Sequence, residues 1–230
     1  MRILGCWYSN NGVDNKIIQS SLNSIKTARD NYKDVNIVTC NWAHIPNNPF
    51  EEHLTLYKMG IHLGIILQML KILYAEEKKG NKYDVVSFLE HDVLYPDDYF
   101  HRVSEGFRSN PLTVINMDYI GMNQTGWLDV VQRDKPMHQF SFQYVIIMKH
   151  MDWLMREAVL NGNVILEGNK YSAVEIPYKG EKPSCHINHS KNFTSHFDCY
   201  AKNSNGKTTH PYWGDFKQYY PANEKSMQRI

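Results

Sequence analysis

Blocks of continuous apolar residues alternate along the chain with stretches of helical period. "RILGCWY", residues 2–8, is a short apolar run that reads as a first strand. Turn-rich "SNNGVDN" follows, and then Ile17, Ile18, Leu22 and Ile25 recur at spacings near 3.6, as on one face of a helix. "DVNIVTCNW" gives a second strand, entered through Asp34. "NPFEEHLTLYKMGIHLGIILQMLKILYAEEKKG" holds a long helix ending at Gly80, with Lys78 and Lys79 in the last turn, where cations suit the helix dipole. "YDVVSFL" is the third strand. Strand, helix, strand, helix, strand predicts parallel pairing through right-handed crossovers, and unbroken apolar strands predict a sheet covered on both faces.

The second half is less regular. "PLTVINMDYIG" and "FSFQYVIIMKH" read as strands, and "MDWLMREAVLNG" as a helix closed by Gly162. "NVILEG" and "YSAVEIP" are further short strands. From Pro183 the pattern gives way to a polar, aromatic tail that carries four of the eleven histidines. No repeat, low-complexity segment or linker interrupts the chain. The expected fold is one α/β domain over residues 1–230, with a Rossmann-like, mixed and mostly parallel sheet flanked by helices.

Composition narrows this picture only at its edges. A net charge of +1 supplies no global field for nucleic acid or an anionic membrane, so any such contact must be a local patch. Cys6, Cys40, Cys185 and Cys199 are widely spread and form no CxxC pair, which suits a reducing, cytoplasmic compartment. "MRILGCWYSNNG" has too short an apolar run for a signal peptide. The most apolar stretch is broken by His62, Gln68 and Lys71 and reads as a core helix, with no membrane span.

The chemistry concentrates in two places. "VVSFLEHDVLYPDDYF", residues 85–100, runs from apolar residues straight into Glu90, His91 and Asp92. Buried charge is expensive unless paired or coordinated. In an extended chain, residues two apart point to the same side, so Glu90 and Asp92 are expected to converge just past the strand's carboxyl end. That end is where open α/β sheets bind ligands. Two carboxylates suit a hard divalent cation, Mg²⁺ or Mn²⁺, which takes its other ligands from water and phosphate and eases departure of a diphosphate. The plain alternative is a solvated turn continued by Pro96, Asp97 and Asp98. The second place is "CHINHSKNFTSHF", with His186, His189 and His196 among polar residues, since histidine clusters commonly mark metal sites.

The order of elements over about residues 1–165, closed by an acidic-x-acidic motif, resembles the glycosyltransferases of the GT-A fold. Those enzymes carry Asp-x-Asp where this chain has Glu90-His91-Asp92, and the Gln-x-x-Arg-Trp signature of processive synthases is absent. The resemblance implies a sugar-nucleotide donor, a UDP-sugar, and a Mn²⁺ or Mg²⁺ ion held mainly by Asp92. It implies Glu90 facing ribose, sugar or metal-bound water, and a tail histidine completing the metal shell, with His189 ranked before His186. It divides the chain into a donor-binding half (1–110), an acceptor-side half (111–184) and a closing tail (185–230).

At the end of the first strand Trp7 and Tyr8 are candidates to stack on the base, with Ser9 and Asn10 for base or ribose edges. One of the two aromatics must point inward by alternation. Lys58 and Lys191 are candidates to pair with phosphate. Inverting transfer requires a carboxylate base near the acceptor hydroxyl. Asp129, two residues after Trp127, ranks before Asp118, Asp134, Glu167 and Glu175. The basic and aromatic tail suits a saccharide acceptor or, in a phage-type enzyme, hydroxymethylated pyrimidines of DNA. A bacterial or phage-infected cytoplasm fits both. Two alternatives remain: a zinc hydrolase built on His186, His189 and His196, and a non-catalytic nucleotide- or nucleic-acid-binding module.

Overall fold

In the computed structural model the described residues are 1–9, 14–55 and 61–109, followed by a set of strands between residues 114 and 215. Side chains are described for 1–9, 14–55, 68–109 and Ser184, and the remaining described residues contribute their backbone. The first half runs β1 (Ile3–Tyr8), α1 (Asn15–Asp30), β2 (Val35–Asn41), β3 (Glu51–Leu54), α2 (Ile61–Lys78), β4 (Val85–Glu90), β5 (Val93–Leu94) and α3 (Tyr99–Ser109). The strands that follow are β6 (Val114–Met117), β7 (Tyr119–Met122), β8 (Leu128–Val131), β9 (Phe140–Gln143), β10 (Ala173–Ile176), β11 (Ser184–Ile187), β12 (Thr209–His210) and β13 (Gly214–Asp215).

The helix ends carry local signals. Asp14 caps α1, its carboxylate accepting the Lys16 N–H at 2.8 Å. Helix α2 stops where Gly80 takes a φ of 73°, with the Gly80 N–H bonded to Glu77 O and the Asn81 N–H to Glu76 O. That pair of bonds is the Schellman motif, and the left-handed residue in it is glycine because a Cβ would strain there.

Seven strands form the main sheet among the described residues, in the order β10-β6-β9-β4-β1-β2-β3. β1 pairs in parallel with both β2 and β4, β2 with β3, and β10 with β6. Only β9 runs against its neighbours β4 and β6. The expected α/β fold, a mostly parallel sheet flanked by helices, is therefore what the chain adopts. One face packs Ile3, Trp7, Val35, Ile37, Val85 and Leu89 with Ile18, Leu22 and Ile25 of α1 and Phe100, Val103 and Phe107 of α3. The other lies against α2, where Met69, Leu70, Ile72 and Leu73 are buried. Cover on both sides explains why β1, β2 and β4 read as continuous apolar runs rather than as alternation.

Three expectations need correction. Glu51–Leu54 is a strand, although it precedes the long helix in a stretch read as helix and loop, so the strand ending in Glu90 is the fourth. "PLTVINMDYIG" is two strands in different sheets, β6 in the first and β7 in the second. The tail from Pro183 opens with an ordered strand, β11, at the centre of a second sheet of order β5-β11-β7-β8. The helix expected over "MDWLMREAVLNG" and the strand over "NVILEG" lie outside the described residues.

Candidate active site at the rim of the sheet

Strands β1, β2 and β4 end together at one rim, at Tyr8, Asn41 and Glu90. There the chain leaves the first sheet, turns through His91 and Asp92, and enters the second sheet at Val93. The acidic residues thus occupy the switch between the two sheets. Glu90 is 4% exposed and His91 and Asp92 are each 7% exposed, which removes the solvated-turn alternative. His91 Nε2 lies 3.8 Å from Asp92 Oδ2.

Their placement differs from the extended-chain expectation. Glu90 is the last strand residue, level with Tyr8 and through it with Cys40, on the α2 side of the sheet. His91 and Asp92 form a turn, so the rule that places residues two apart on one side ends at Glu90. Any convergence of the two carboxylates comes from the turn, not from strand alternation.

The turn is held by α1. Trp7 Nε1–H donates to Ser21 Oγ at 3.3 Å, and the Ser21 hydroxyl donates to the Glu90 carbonyl at 3.2 Å. The Tyr95 N–H donates to Ser24 Oγ at 2.9 Å, and the Ser24 hydroxyl to the Ser21 carbonyl at 2.8 Å. Tyr95 reaches back from beyond β5: its hydroxyl accepts the Glu90 N–H at 2.7 Å and donates to the Glu90 carbonyl at 3.1 Å. None of Ser21, Ser24 or Tyr95 stands out in the sequence, because their contribution is a contact across 69 to 71 residues for the two serines.

Trp7 is corrected as a base platform. It is fully buried in the core with α1, and Tyr8 is 1% exposed beneath the other face. A sheet covered on both sides offers neither aromatic a free face. Ser9 is buried at the rim, its carbonyl accepting from Gln68 Nε2 at 2.9 Å. Gln68, which interrupts the apolar run of α2, is therefore a rim residue that sequence patterning registers only as a break. Asn10, Lys58, His189, Lys191 and His196 lie outside the described residues.

A third group closes the rim beyond β2. Asn41 Nδ2 donates to Glu52 Oε1 at 2.6 Å, and the same carboxylate takes the Ile45 N–H at 3.0 Å and meets His44 Nδ1 at 2.5 Å. Burial acts to raise the pKa of Glu52, but the bonds from Ile45, His44, Asn41 and Asn48 outweigh it and hold the carboxyl below its ordinary range. The 42–50 loop is thereby tied to edge strand β3.

The second sheet draws the tail to the turn. Its register aligns Val93 of β5 with His186 of β11, His186 with Gly121 of β7, and Gly121 with Asp129 of β8. Asp92 immediately precedes Val93, so the backbone of His186 stands one strand away from the acidic turn, roughly 5 Å in a sheet. Asp129 is three strands from β5, roughly 14 Å, too far along the row to share a ligand sphere with Asp92. Glu175 is elsewhere, on edge strand β10 of the first sheet. Among the described residues no group of three or more His, Cys, Asp or Glu side chains is placed to hold a metal ion. The acidic turn nevertheless fits a hard divalent cation in kind, since Glu90 and Asp92 bring carboxylate oxygens.

No family model matches the sequence, and no curated protein matches it significantly. Solved structures do match. The crystal structure of S. aureus TarS aligns with a TM-score of 0.50 at 10% identity, over 82% of this chain and 37% of that chain. The structure of S. aureus TarS 1-349 in complex with UDP aligns with a TM-score of 0.50 at 12% identity, over 82% of this chain and 61% of that chain. The chain shares the TarS fold. At such identities the likeness is one of fold alone, the mostly parallel sheet flanked by helices. The chain spans less than two thirds of the length of either TarS structure. Among the described residues no helix is long and apolar enough to cross a membrane.

Proposed function

We propose that the chain is a glycosyltransferase that moves a sugar from a nucleotide donor, a UDP-sugar, to a hydroxyl acceptor. Nucleotide-sugar transfer in general is supported by the fold, since TarS is a GT-A-like glycosyltransferase and one of its matching structures is a complex with UDP. The observation that carries the proposal is the buried Glu90-His91-Asp92 turn at the carboxyl end of a central parallel strand, where open α/β sheets bind ligands.

Asp92, Glu90 and His186 are the residues that would hold Mn²⁺ or Mg²⁺, with His189 next in rank. A bound cation supplies charge neutralisation that makes the diphosphate a better leaving group. Ser9 and Asn10 are the candidates for the nucleoside end, with the buried Tyr8 packed behind them rather than stacked on the base. Lys58 and Lys191 are the candidates to supply positive charge for the phosphates. Asp129, on the far side of the second sheet's row, serves as the base that takes the proton of the attacking hydroxyl in an inverting transfer. The acceptor is a saccharide hydroxyl, and a hydroxymethylated pyrimidine in DNA is the competing class. The zinc-hydrolase alternative loses ground because His186 stands in a strand, so a rigid helical pair with His189 does not start there.

The test is thermal unfolding of the full chain with UDP, with and without Mn²⁺, because a ligand bound only to the folded state raises the melting temperature. A shift that needs both UDP and Mn²⁺ is expected, and Asp92→Asn should abolish both this shift and sugar transfer while the unliganded melt stays in place. A full Mn²⁺-dependent shift in Asp92→Asn would overturn the assignment of the cation to the turn. Tight zinc binding with no response to nucleotide would favour the hydrolase instead.

A further inference from the structure

We propose that the Tyr95 hydroxyl is the positioning group of the acidic turn, setting the main chain at Glu90 so that the turn presents its carboxylates to a cation–diphosphate ligand. This rests on the donor reading above and adds a residue to it.

The accounting starts with the backbone. β4 pairs with β9 only over Val85–Ser87, while on its other side β1 follows it to Glu90. Among the described residues no strand therefore meets β4 on the β9 side beyond Ser87, and a buried amide there still requires a partner. Tyr95 supplies one from five residues further along: its hydroxyl accepts the Glu90 N–H at 2.7 Å and returns its own proton to the Glu90 carbonyl at 3.1 Å. One side-chain oxygen thus does what a neighbouring strand residue does, and it closes residues 90–95 into a loop with fixed ends. His91 and Asp92 are the apex of that loop.

Tyr95 is itself held from two sides. The Tyr95 N–H is bonded to Ser24 of α1, and the ring stands edge-on to Tyr99 of α3 with centroids 5.0 Å apart. Tyr95 is fully buried, so its χ angles have little freedom. Ser21 adds a second bond to the Glu90 carbonyl at 3.2 Å. The turn is thus referenced to α1 and α3, elements that carry none of the proposed ligands. Groups that orient a metal ligand from behind typically contribute about 10–100-fold to metal affinity or activity, and here the bonds are to the main chain that carries the carboxylate.

The experiment is calorimetric titration of UDP into the full chain at fixed Mn²⁺ and without metal, for wild type, Tyr95→Phe and Ser21→Ala. Tyr95→Phe keeps the buried ring and removes only the hydroxyl. It should weaken Mn²⁺-dependent UDP binding by about tenfold, while the metal-independent component stays unchanged. Ser21→Ala leaves the Tyr95 bonds in place and should give a smaller loss of the same kind. It also keeps the proposal testable if Tyr95→Phe does not fold. Wild-type affinity in Tyr95→Phe, or equal losses with and without Mn²⁺, would overturn the positioning role while leaving the donor reading intact. A wild type that does not bind UDP in the presence of Mn²⁺ would sink the donor reading and this proposal with it.

Discussion

Ser21 accepts the indole N–H of Trp7 and gives its own proton to Glu90, so one hydroxyl joins a core residue to the acidic turn. That two carboxylates close a buried strand was legible in the sequence, because charge directly after a buried apolar run is costly enough to need a reason, whereas the turn that carries them was not. Trp7 was not legible: alternation separates core from rim only where one face meets water, and here both faces are covered. The two assignments of Trp7 predict different results for Trp7→Phe. A core residue replaced by a smaller ring that cannot donate should cost about 1.5 kcal/mol of stability. UDP affinity, measured by calorimetry on the folded variant, should stay at the wild-type value. A large loss of UDP affinity with little loss of stability would return Trp7 to the role of base platform.

At the scale of elements, what escaped the sequence is polar structure organised by backbone. β3 is an edge strand of Glu51, Glu52, His53 and Leu54, too polar to read as a strand, yet it pairs in parallel with β2 over Val38–Asn41. β11 lies within a histidine-rich tail, and the switch from β6 to β7 falls inside one apolar run. Pairing partners distant in sequence decide all three. The end of α2 was legible, and it contains a further buried charge. Glu76 has a fully buried side chain and accepts from Tyr83 Oη at 2.5 Å, Asn81 Nδ2 at 2.7 Å and Lys79 Nζ at 2.7 Å. Burial alone would raise its pKa, but the bonds from Lys79, Tyr83 and Asn81 outweigh it and hold Glu76 below its ordinary value of 4.5. A carboxyl depressed in the folded state stabilises the fold above its unfolded pKa, and this contribution fades as pH falls through the folded value. Glu76→Gln should therefore cost about 2 kcal/mol near neutral pH. In denaturant titrations, the gap between wild type and variant should narrow as pH falls from about 5 to about 3. A gap that widens toward acid would contradict the bonding described for this carboxylate.

Across the whole molecule, the two sheets meet through the residues nominated for chemistry. β4 passes into β5 through the acidic turn, and β5 is held in the second sheet by β11, whose His186 is level with Val93. The parallel order of the first sheet followed from the rhythm of strands and helices, whereas this second sheet did not, since its four strands come from three separate parts of the chain. Its consequence is that the start of the tail and the turn form one mechanical unit: β11 is the sole described neighbour of β5 and also pairs with β7. Proline at an interior position of such a strand deletes a ladder hydrogen bond and clashes with its neighbour. Cys185→Pro, between β5 and β7, should lower unfolding stability by about 3 kcal/mol and should also abolish the joint UDP–Mn²⁺ shift in thermal unfolding. The second effect is the informative one. Residues 184–187 contain one proposed ligand, and Glu90 and Asp92 lie more than ninety residues earlier. If Cys185→Pro lowered stability yet left the joint shift intact, β11 would be a structural strand only, and the cation would have to be held by the turn without help from the tail's first strand.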